Sequence, residues 1–488
     1  MESIFSLKPL AAVLVSLVAA PFIFGTRSPN MREGWTFLAA LIKFALVASM
    51  LPAVLAGQEF VCTVAQVLPG LGITLRVDAF GMLFALVSSS LWIVTSAYSI
   101  GYMRGLDEHA QNRYFTCFAV SLSATIGVAF AGNLLTLYLF YEMLSLATYP
   151  LVTHHQDKEA RTSGRKYLLY TMGSSIGLVL PAMLMVYHLS GDLTFSAQGV
   201  LAGQASRGTV AVLLLMFVMG FAKAAVMPLH SWLPAAMVAP TPVSALLHAV
   251  AVVKVGVFSI VRTITGIFGV DTLTTLQLGT PVVILASVTI LVGSLIALTQ
   301  DNLKRRLAFS TIAQLSYIIL GAGLLSSQAL TGGMIHIAMH AFGKITLFFC
   351  AGAIFVATGK KNISEMTGLG RRMPITMGAF FIGAMSVIGL PPTGGFLSKW
   401  YLGLGSLNAG QWPVLVVLLT SSLLNACYFL PIVFRAFFTT AASGGNPSNG
   451  VAEAPAWCVV PPVIAAAGSV ALFFFPNLFL NLAQLALR

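Results

Sequence analysis

Apolar runs, each closed by a short polar break, follow one another from end to end of the chain. As helices, runs of about 20 residues cover a hydrocarbon core of roughly 30 Å. Fourteen are predicted, near residues 9–26, 35–57, 79–100, 115–131, 133–152, 167–189, 209–227, 242–265, 279–299, 307–325, 330–357, 374–408, 412–435 and 456–483. Strand-length segments of alternating polarity with aromatic girdles are not apparent, which argues against a closed barrel. Helices are the other way to satisfy every backbone group in lipid. An all-α polytopic membrane protein is therefore expected. The composition agrees, with 58% hydrophobic and 8% charged residues and a mean hydropathy of +0.91. It leaves little room for a soluble domain.

Two runs are expected to be broken. "MPLHSWLPAAMVAPTP" holds Pro228, Pro234, Pro240 and Pro242, and "GLPPTGGFLSKW" holds Pro391 and Pro392 with glycines close behind. Interrupted helices at corresponding places in two halves are how inverted-repeat transporters build a site near the bilayer midplane.

Charge narrows the picture. A net charge of +12 would suit a nucleic-acid ligand, but the basic residues lie between the apolar runs. Loops after odd-numbered helices carry most of them, among them Arg104, Arg113, Lys158, Arg161, Lys304, Arg305, Lys360 and Lys361. Loops after even-numbered helices carry only Arg76, Arg207 and Arg262. By the positive-inside rule the odd loops face the cytoplasm and both termini lie on the other side. The first apolar run lacks a small-residue cleavage site, so a retained first helix is expected.

The cysteines Cys62, Cys117, Cys350, Cys427 and Cys458 stand singly, with no pair at metal-binding spacing, and are assigned to packing. Neither an iron–sulfur cluster nor a structural zinc has a ligand set at recognisable spacing. No cofactor and no metal are expected on this chain. "ATGKKNIS" has the wrong glycine spacing for a phosphate loop, and no HExxH, GxSxG or dinucleotide fingerprint is present. Redox and hydrolytic chemistry by this chain alone are thereby disfavoured.

The charges that remain inside apolar runs are Lys43, Lys223, Lys254, Lys344, Lys399 and one carboxylate, Glu142. A charge at mid-bilayer costs on the order of 3 kcal/mol on insertion scales, so such residues usually face a bundle interior or water and mark an ion path. A lysine held away from water gives up its proton more readily, and a carboxylate beside it restrains that release. Glu142 with Lys223 is the expected pair. "HIAMHAFGK" sets His336, His340 and Lys344 at i, i+4 and i+8, on one helix face. Those steps span roughly 12 Å at the helical rise, the length of a relay. His248, near Lys254, is a further candidate relay, although His336 and His340 would also serve as polar ties between helices. Lys43 is expected to snorkel, and His188 and His230 to occupy interface or capping positions.

Four segments carry a resemblance: "FYEMLSLATYPLV" around Glu142, "GFAKAAVMPLHSWLPAAMVAPTPVSALLHAVAVVKVGVF" through Lys223 and Lys254, "HIAMHAFGKITLFFCAGAI" around Lys344, and "GLPPTGGFLSKWYL" around Lys399. From about residue 75 to 435 the chain resembles the antiporter-like proton-translocating subunits shared by Mrp-type cation/proton antiporters, respiratory complex I and energy-converting membrane-bound hydrogenases. The resemblance implies fourteen helices with two inverted five-helix repeats, each with a broken helix. It divides the chain into a three-helix segment at 1–114, repeats at 115–265 and 266–435, and a terminal loop and helix at 436–488. It also implies that Glu142 pairs with Lys223, that Lys254 and Lys344 line a hydrated axis, and that Lys399 serves the far half-channel. With its last residue at Arg488, the chain is not expected to be of the complex I type that extends into a long lateral helix, and lysine rather than glutamate at 399 is more like the D-type member of Mrp antiporters. The loop "THHQDKEARTSGRKY" carries no family assignment.

The expectation is a proton-translocating subunit of a multisubunit complex in a prokaryotic inner membrane, most like the D-type member of an Mrp-type Na+/H+ antiporter. Its partners would be other membrane subunits, protons, sodium or potassium passing through the complex, and lipid. The alternatives are the pumping subunit of complex I or of a membrane-bound hydrogenase, where any oxidoreduction belongs to partner subunits, and a stand-alone solute carrier.

Overall fold

The computed structural model describes residues 2–68, 71–439 and 451–488. Residues 440–450 of the expected terminal loop lie outside that range. Sixteen helices carry the architecture: α1 Lys8–Gly25, α2 Pro29–Leu55, α3 Ala79–Gly105, α4 Gln111–Ala129, α5 Leu134–Val152, α6 Lys158–Ser190, α7 Arg207–Gly220, α8 Thr241–Phe268, α9 Gly279–Thr299, α10 Leu303–Gly323, α11 Ser327–Thr358, α12 Pro374–Ile388, α13 Gly394–Asn408, α14 Trp412–Phe438, α15 Ala456–Phe474 and α16 Asn477–Leu485. Among the described residues, ten of them are long and apolar enough to cross a membrane, and α7 and α12 are shorter apolar helices. The outer helices leave leucine, isoleucine and phenylalanine exposed, as lipid-facing surfaces do (Leu215, Ile284, Leu423, Phe434).

The expectation of an all-α chain needs correction. Glu2–Phe5 (β1), Gln58–Leu68 (β2) and Leu71–Val77 (β3) form a three-stranded sheet in the order β1-β2-β3, with β1 parallel and β3 antiparallel to β2. The stretch between α2 and α3 is rich in β-branched residues (Val61, Thr63, Val64, Ile73, Thr74) that suit a pleated surface better than a helix. Asn133 fastens this sheet to the bundle: its Oδ1 accepts from Thr136 N–H at the start of α5, and its Nδ2 donates to the Gly72 carbonyl at 2.7 Å.

α8 and α11 form the centre. α8 is buried along its length, and α11 packs on α3, α8, α10, α12, α13 and α15. Both expected breaks are present, displaced from where the prolines alone would put them. α7 ends at Gly220, before Lys223 rather than after it, and Lys223 lies in the 3-10 turn Ala222–Ala224. An irregular stretch through Pro228 and the short helix Trp232–Ala235, which includes Pro234, leads to Pro240, and Pro242 sits in the first turn of α8. There its missing N–H costs nothing. The Ala222 carbonyl, which closes the turn with the Ala225 N–H, also accepts from the Trp232 indole at 2.9 Å. Pro391 and Pro392 occupy the turn between α12 and α13, after Gly389 at φ +90°.

Glycine lets these breaks be approached closely. A Cβ on Gly256 of α8 would sit 2.2 Å from the Ala224 nitrogen and 2.5 Å from the Lys223 carbonyl carbon. The α8 backbone therefore lies directly against the turn that carries Lys223. Gly256→Ala is expected to force the two apart and to cost about 3 kcal/mol, the upper range of overpacking. Gly34→Ala, where a Cβ meets open space, is the control, and melting of the two variants in detergent is the measurement.

Candidate proton-translocation site

The intramembrane charges meet inside the bundle. Lys223, Lys254 and Lys344 are wholly buried. The Lys223 ammonium donates to the Tyr141 carbonyl at 2.6 Å and lies 3.1 Å from the centroid of the Tyr141 ring. The next residue is Glu142, yet neither of its carboxylate oxygens has a hydrogen-bond partner among the described residues. The expected Glu142–Lys223 contact is thus a near neighbourhood, because Tyr141 takes the ammonium. That acceptor was not legible in the sequence, since a backbone carbonyl leaves no residue signature.

α8 carries Lys254 past an irregularity. Leu246–Val250, which includes His248, forms a single π turn, and Ala251 follows at φ −120°, ψ −80°. Such turns insert a residue and rotate the helix beyond them, and they occur frequently at functional sites. Here the rotation carries Lys254 to α11, where its Nζ lies 2.8 Å from His340 Nδ1. One turn away on α11, His336 stands 5.6 Å from His340 ring to ring, and its Nδ1 bonds Ser398 Oγ of α13 at 2.7 Å. The predicted face of α11 is real, and two of its three groups join Lys254 to the residue preceding Lys399. His248 is buried against Phe348, with neither ring nitrogen bonded to any described residue.

The third group of that face turns elsewhere. Lys344 donates to Ser310 Oγ of α10 at 2.8 Å, and that hydroxyl lies 2.9 Å from the Tyr428 hydroxyl of α14, which donates in turn to Asn425 Oδ1. Lys399 reaches back across the second break: its Nζ donates to the carbonyls of Val387 at 3.0 Å and Ile388 at 2.8 Å and to Ser422 Oγ at 3.0 Å. Those carbonyls belong to the last turn of α12, where no intrahelical donor is left for them. The break therefore supplies the acceptors that hold the lysine. Ser310, Ser398, Ser422, Asn425 and Tyr428 went unnoticed in the sequence because neutral polar residues are common in membrane helices. A signal exists only on α14, where Ser422, Asn425 and Tyr428 recur every third residue along one side.

Two expectations for single residues change, those for Lys43 and Arg262. Lys43 does not snorkel; it is fully buried with its Nζ 5.5 Å from the Trp92 ring and no polar partner among the described residues. His188 lies in the last turn of α6, whereas His230 lines a cavity of about 820 Å³ together with Lys166, Thr241, Lys304 and Lys360. Arg262, a loop residue by the charge count along the sequence, lies within α8 and pairs with Asp78, the N-cap of α3, through bonds of 2.5 and 2.7 Å. Phe80, Phe195 and Phe258 surround its guanidinium at 5.2–5.6 Å.

That ion pair has a pH signature. Burial pushes the Asp78 carboxyl up, but Arg262, Arg76 and the Gly81 N–H together outweigh it and hold the group at about 2, below its ordinary 3.8. A depressed carboxylate contributes stability that is complete above its ordinary value and disappears as pH falls through the folded-state value. Loss of this contribution is therefore expected between about pH 4 and pH 2. Asp78→Asn, which strands a buried guanidinium, should cost about 3–5 kcal/mol at neutral pH and flatten that part of a melting-temperature profile.

Long apolar helices bundled around buried lysines mark a polytopic membrane protein. Similarity to known proteins narrows that class. Residues 131–425 match the family described as NADH:quinone oxidoreductase/Mrp antiporter, TM, and the chain belongs to that family. It is 32% identical to NADH-quinone oxidoreductase subunit N of Desulforudis audaxviator over 98% of both chains. It is also 34% identical to hydrogenase-4 component B of Escherichia coli, over 67% of this chain and 50% of that one. Its fold matches a chain in the structure of the membrane-bound sulfane sulfur reductase, an archaeal respiratory membrane complex, with a TM-score of 0.87 at 24% identity, covering 99% of this chain and 97% of that one. A chain in the structure of the Mrp complex from Dietzia sp. matches with a TM-score of 0.84 at 23% identity, covering 99% of this chain and 95% of that one.

Proposed function

We propose that this chain conducts protons as one subunit of a multisubunit membrane complex, along Glu142, Lys223, Lys254, His340, His336 and Lys399, with Lys344 one turn from His340 as a further station. The contact between Lys254 Nζ and His340 Nδ1 carries the reading. A proton shared between an amine and an imidazole passes from one to the other without separating opposite charges, whereas a lysine bound to a carboxylate would trap it. The fourteen-span arrangement, the two inverted repeats at 115–265 and 266–435, and termini on the non-cytoplasmic side belong to the same proposal. The cavity lined by Lys304, Arg305, Lys360 and Lys361 lies among the basic loops and leads to Thr241 at the start of α8. It is the entrance in this reading.

Two complexes remain as hosts, and both fit the family. An Mrp-type Na+/H+ antiporter, with this chain as its D-type member, is favoured by lysine at position 399. A redox-driven complex of the complex I or hydrogenase kind is favoured by the end-to-end likeness to a subunit N. Native purification of the complex from its own membrane, with mass spectrometry of the retained proteins, separates them. Iron–sulfur subunits would make the chain the pumping arm of a redox machine, and exclusively small hydrophobic partners would make it part of an exchanger. Proton uptake by proteoliposomes containing the complex tests the shared part. Activity from the chain alone with an organic solute would overturn it.

A further inference from the structure

Outside the lysine row, four side chains converge where the loop after α3 meets the loop after α5. The structure assigns a binding site for a divalent transition-metal ion of the zinc class to Glu108, His109, His154 and His155. Three imidazole nitrogens surround one carboxylate oxygen: Glu108 Oε2 lies 3.8 Å from His109 Nδ1, 3.6 Å from His154 Nε2 and 3.8 Å from His155 Nδ1. The ligand atoms of Glu108, His109 and His154 all fall within 4.8 Å of one another. Ligands at about 2.0–2.1 Å in a tetrahedral zinc site stand roughly 3.3 Å apart. Contraction by about 1.5 Å or less brings Glu108, His109 and His154 to that spacing, and His155, 3.8 Å from the Glu108 carboxylate, supplies the fourth ligand.

The donor chemistry is already arranged. His109 Nε2 lies 3.0 Å from the His154 carbonyl, which only accepts, so Nε2 carries the hydrogen and Nδ1 presents its lone pair toward Glu108. A ligating histidine usually has its other nitrogen fixed in this way by a backbone carbonyl or carboxylate. Arg113 is turned to the same carbonyl at 2.8 Å. The second observation is His154 itself, which is wholly buried although neither ring nitrogen has a hydrogen-bond partner among the described residues. An unpartnered buried imidazole is costly, and metal coordination removes that cost. One protonated imidazole would explain a single contact with Glu108. Three imidazolium ions around one carboxylate would repel each other, so proton chemistry alone does not account for the cluster. Three neutral imidazoles and one carboxylate are a borderline-soft N/O set, suited to Zn2+ rather than Mg2+.

The ligands come from positions 108–109 and 154–155, too far apart in the chain for any spacing rule to join them. Glu108 and His155 also line the cavity of about 820 Å³. A bound ion therefore ties two loops together at the rim of that cavity.

The test is Zn2+ titration of the full-length chain or its native complex, carrying a tag without histidine, by equilibrium dialysis and X-ray absorption. Retention of one ion per chain in excess Mg2+, with a nitrogen/oxygen shell, is expected. Affinity should fall about tenfold or more in His154→Ala, Glu108→Gln and the half-exposed His109→Gln. If the buried His154 variant does not fold, the other two decide. No retained Zn2+, or retention indifferent to Glu108→Gln and His109→Gln, would overturn the assignment. None of these readouts depends on proton transport.

Discussion

Lys254→Met is expected to reduce proton uptake by the reconstituted complex to the level of protein-free liposomes, while the complex still assembles and purifies with the same subunits. Methionine nearly matches the length of the lysine stem and fills the same wholly buried space, so packing between α8 and α11 persists. The loss is the amine at 2.8 Å from His340. His340 has no other bonded partner among the described residues, since its Nε2 is also free. The step from α8 to α11 then has no proton donor. His340→Ala should leave a slow residual rate, because water can occupy the vacated space between Lys254 and His336. The check is quenching of a pH-sensitive dye after an imposed potential. Full uptake in Lys254→Met would exclude Lys254 from the path.

The order of these effects shows what a one-dimensional pattern can hold. The predicted apolar runs coincide largely with helix, and of the charges left after assigning loop residues Lys43, Lys223, Lys254 and Lys344 are wholly buried, because exclusion of charge from lipid acts on each residue separately; Asp78 and Arg262, assigned to loops, are buried by tertiary packing. Contacts between helices are a different matter. That Lys254 meets His340 depends on the π turn at Leu246–Val250, and such a turn has no residue signature. That Lys399 is held by Val387 and Ile388 depends on carbonyls freed by a helix end. The sheet is not legible in the sequence because register shifts at Thr63/Ala65 and Gln66/Leu68 break the strict alternation that marks a strand. Lys43 was expected at the interface because it lies near a polar helix start, but α3 covers it, and tertiary cover is invisible to a single-helix rule.

Glu142 and Lys223 are best examined together. In this conformation the Lys223 ammonium is bound to the Tyr141 carbonyl, and the adjacent Glu142 carboxylate lacks a hydrogen-bond partner among the described residues. If the two exchange between this arrangement and a closed ion pair, each is needed for the same step. Glu142→Gln and Lys223→Met should then each abolish proton uptake, and the double variant should be no worse than either. Residues acting as one unit give such non-additive losses. Stability should behave differently. Removing one charge leaves the other buried and uncompensated, at a cost of about 3–5 kcal/mol, whereas removing both leaves none. The double variant is therefore expected to melt above at least one of the single variants, by several degrees for a difference of that size. Dye quenching and melting of the purified complex measure the two cycles. Independent, additive losses in both would mean that Tyr141 holds Lys223 permanently and that Glu142 serves another part of the complex.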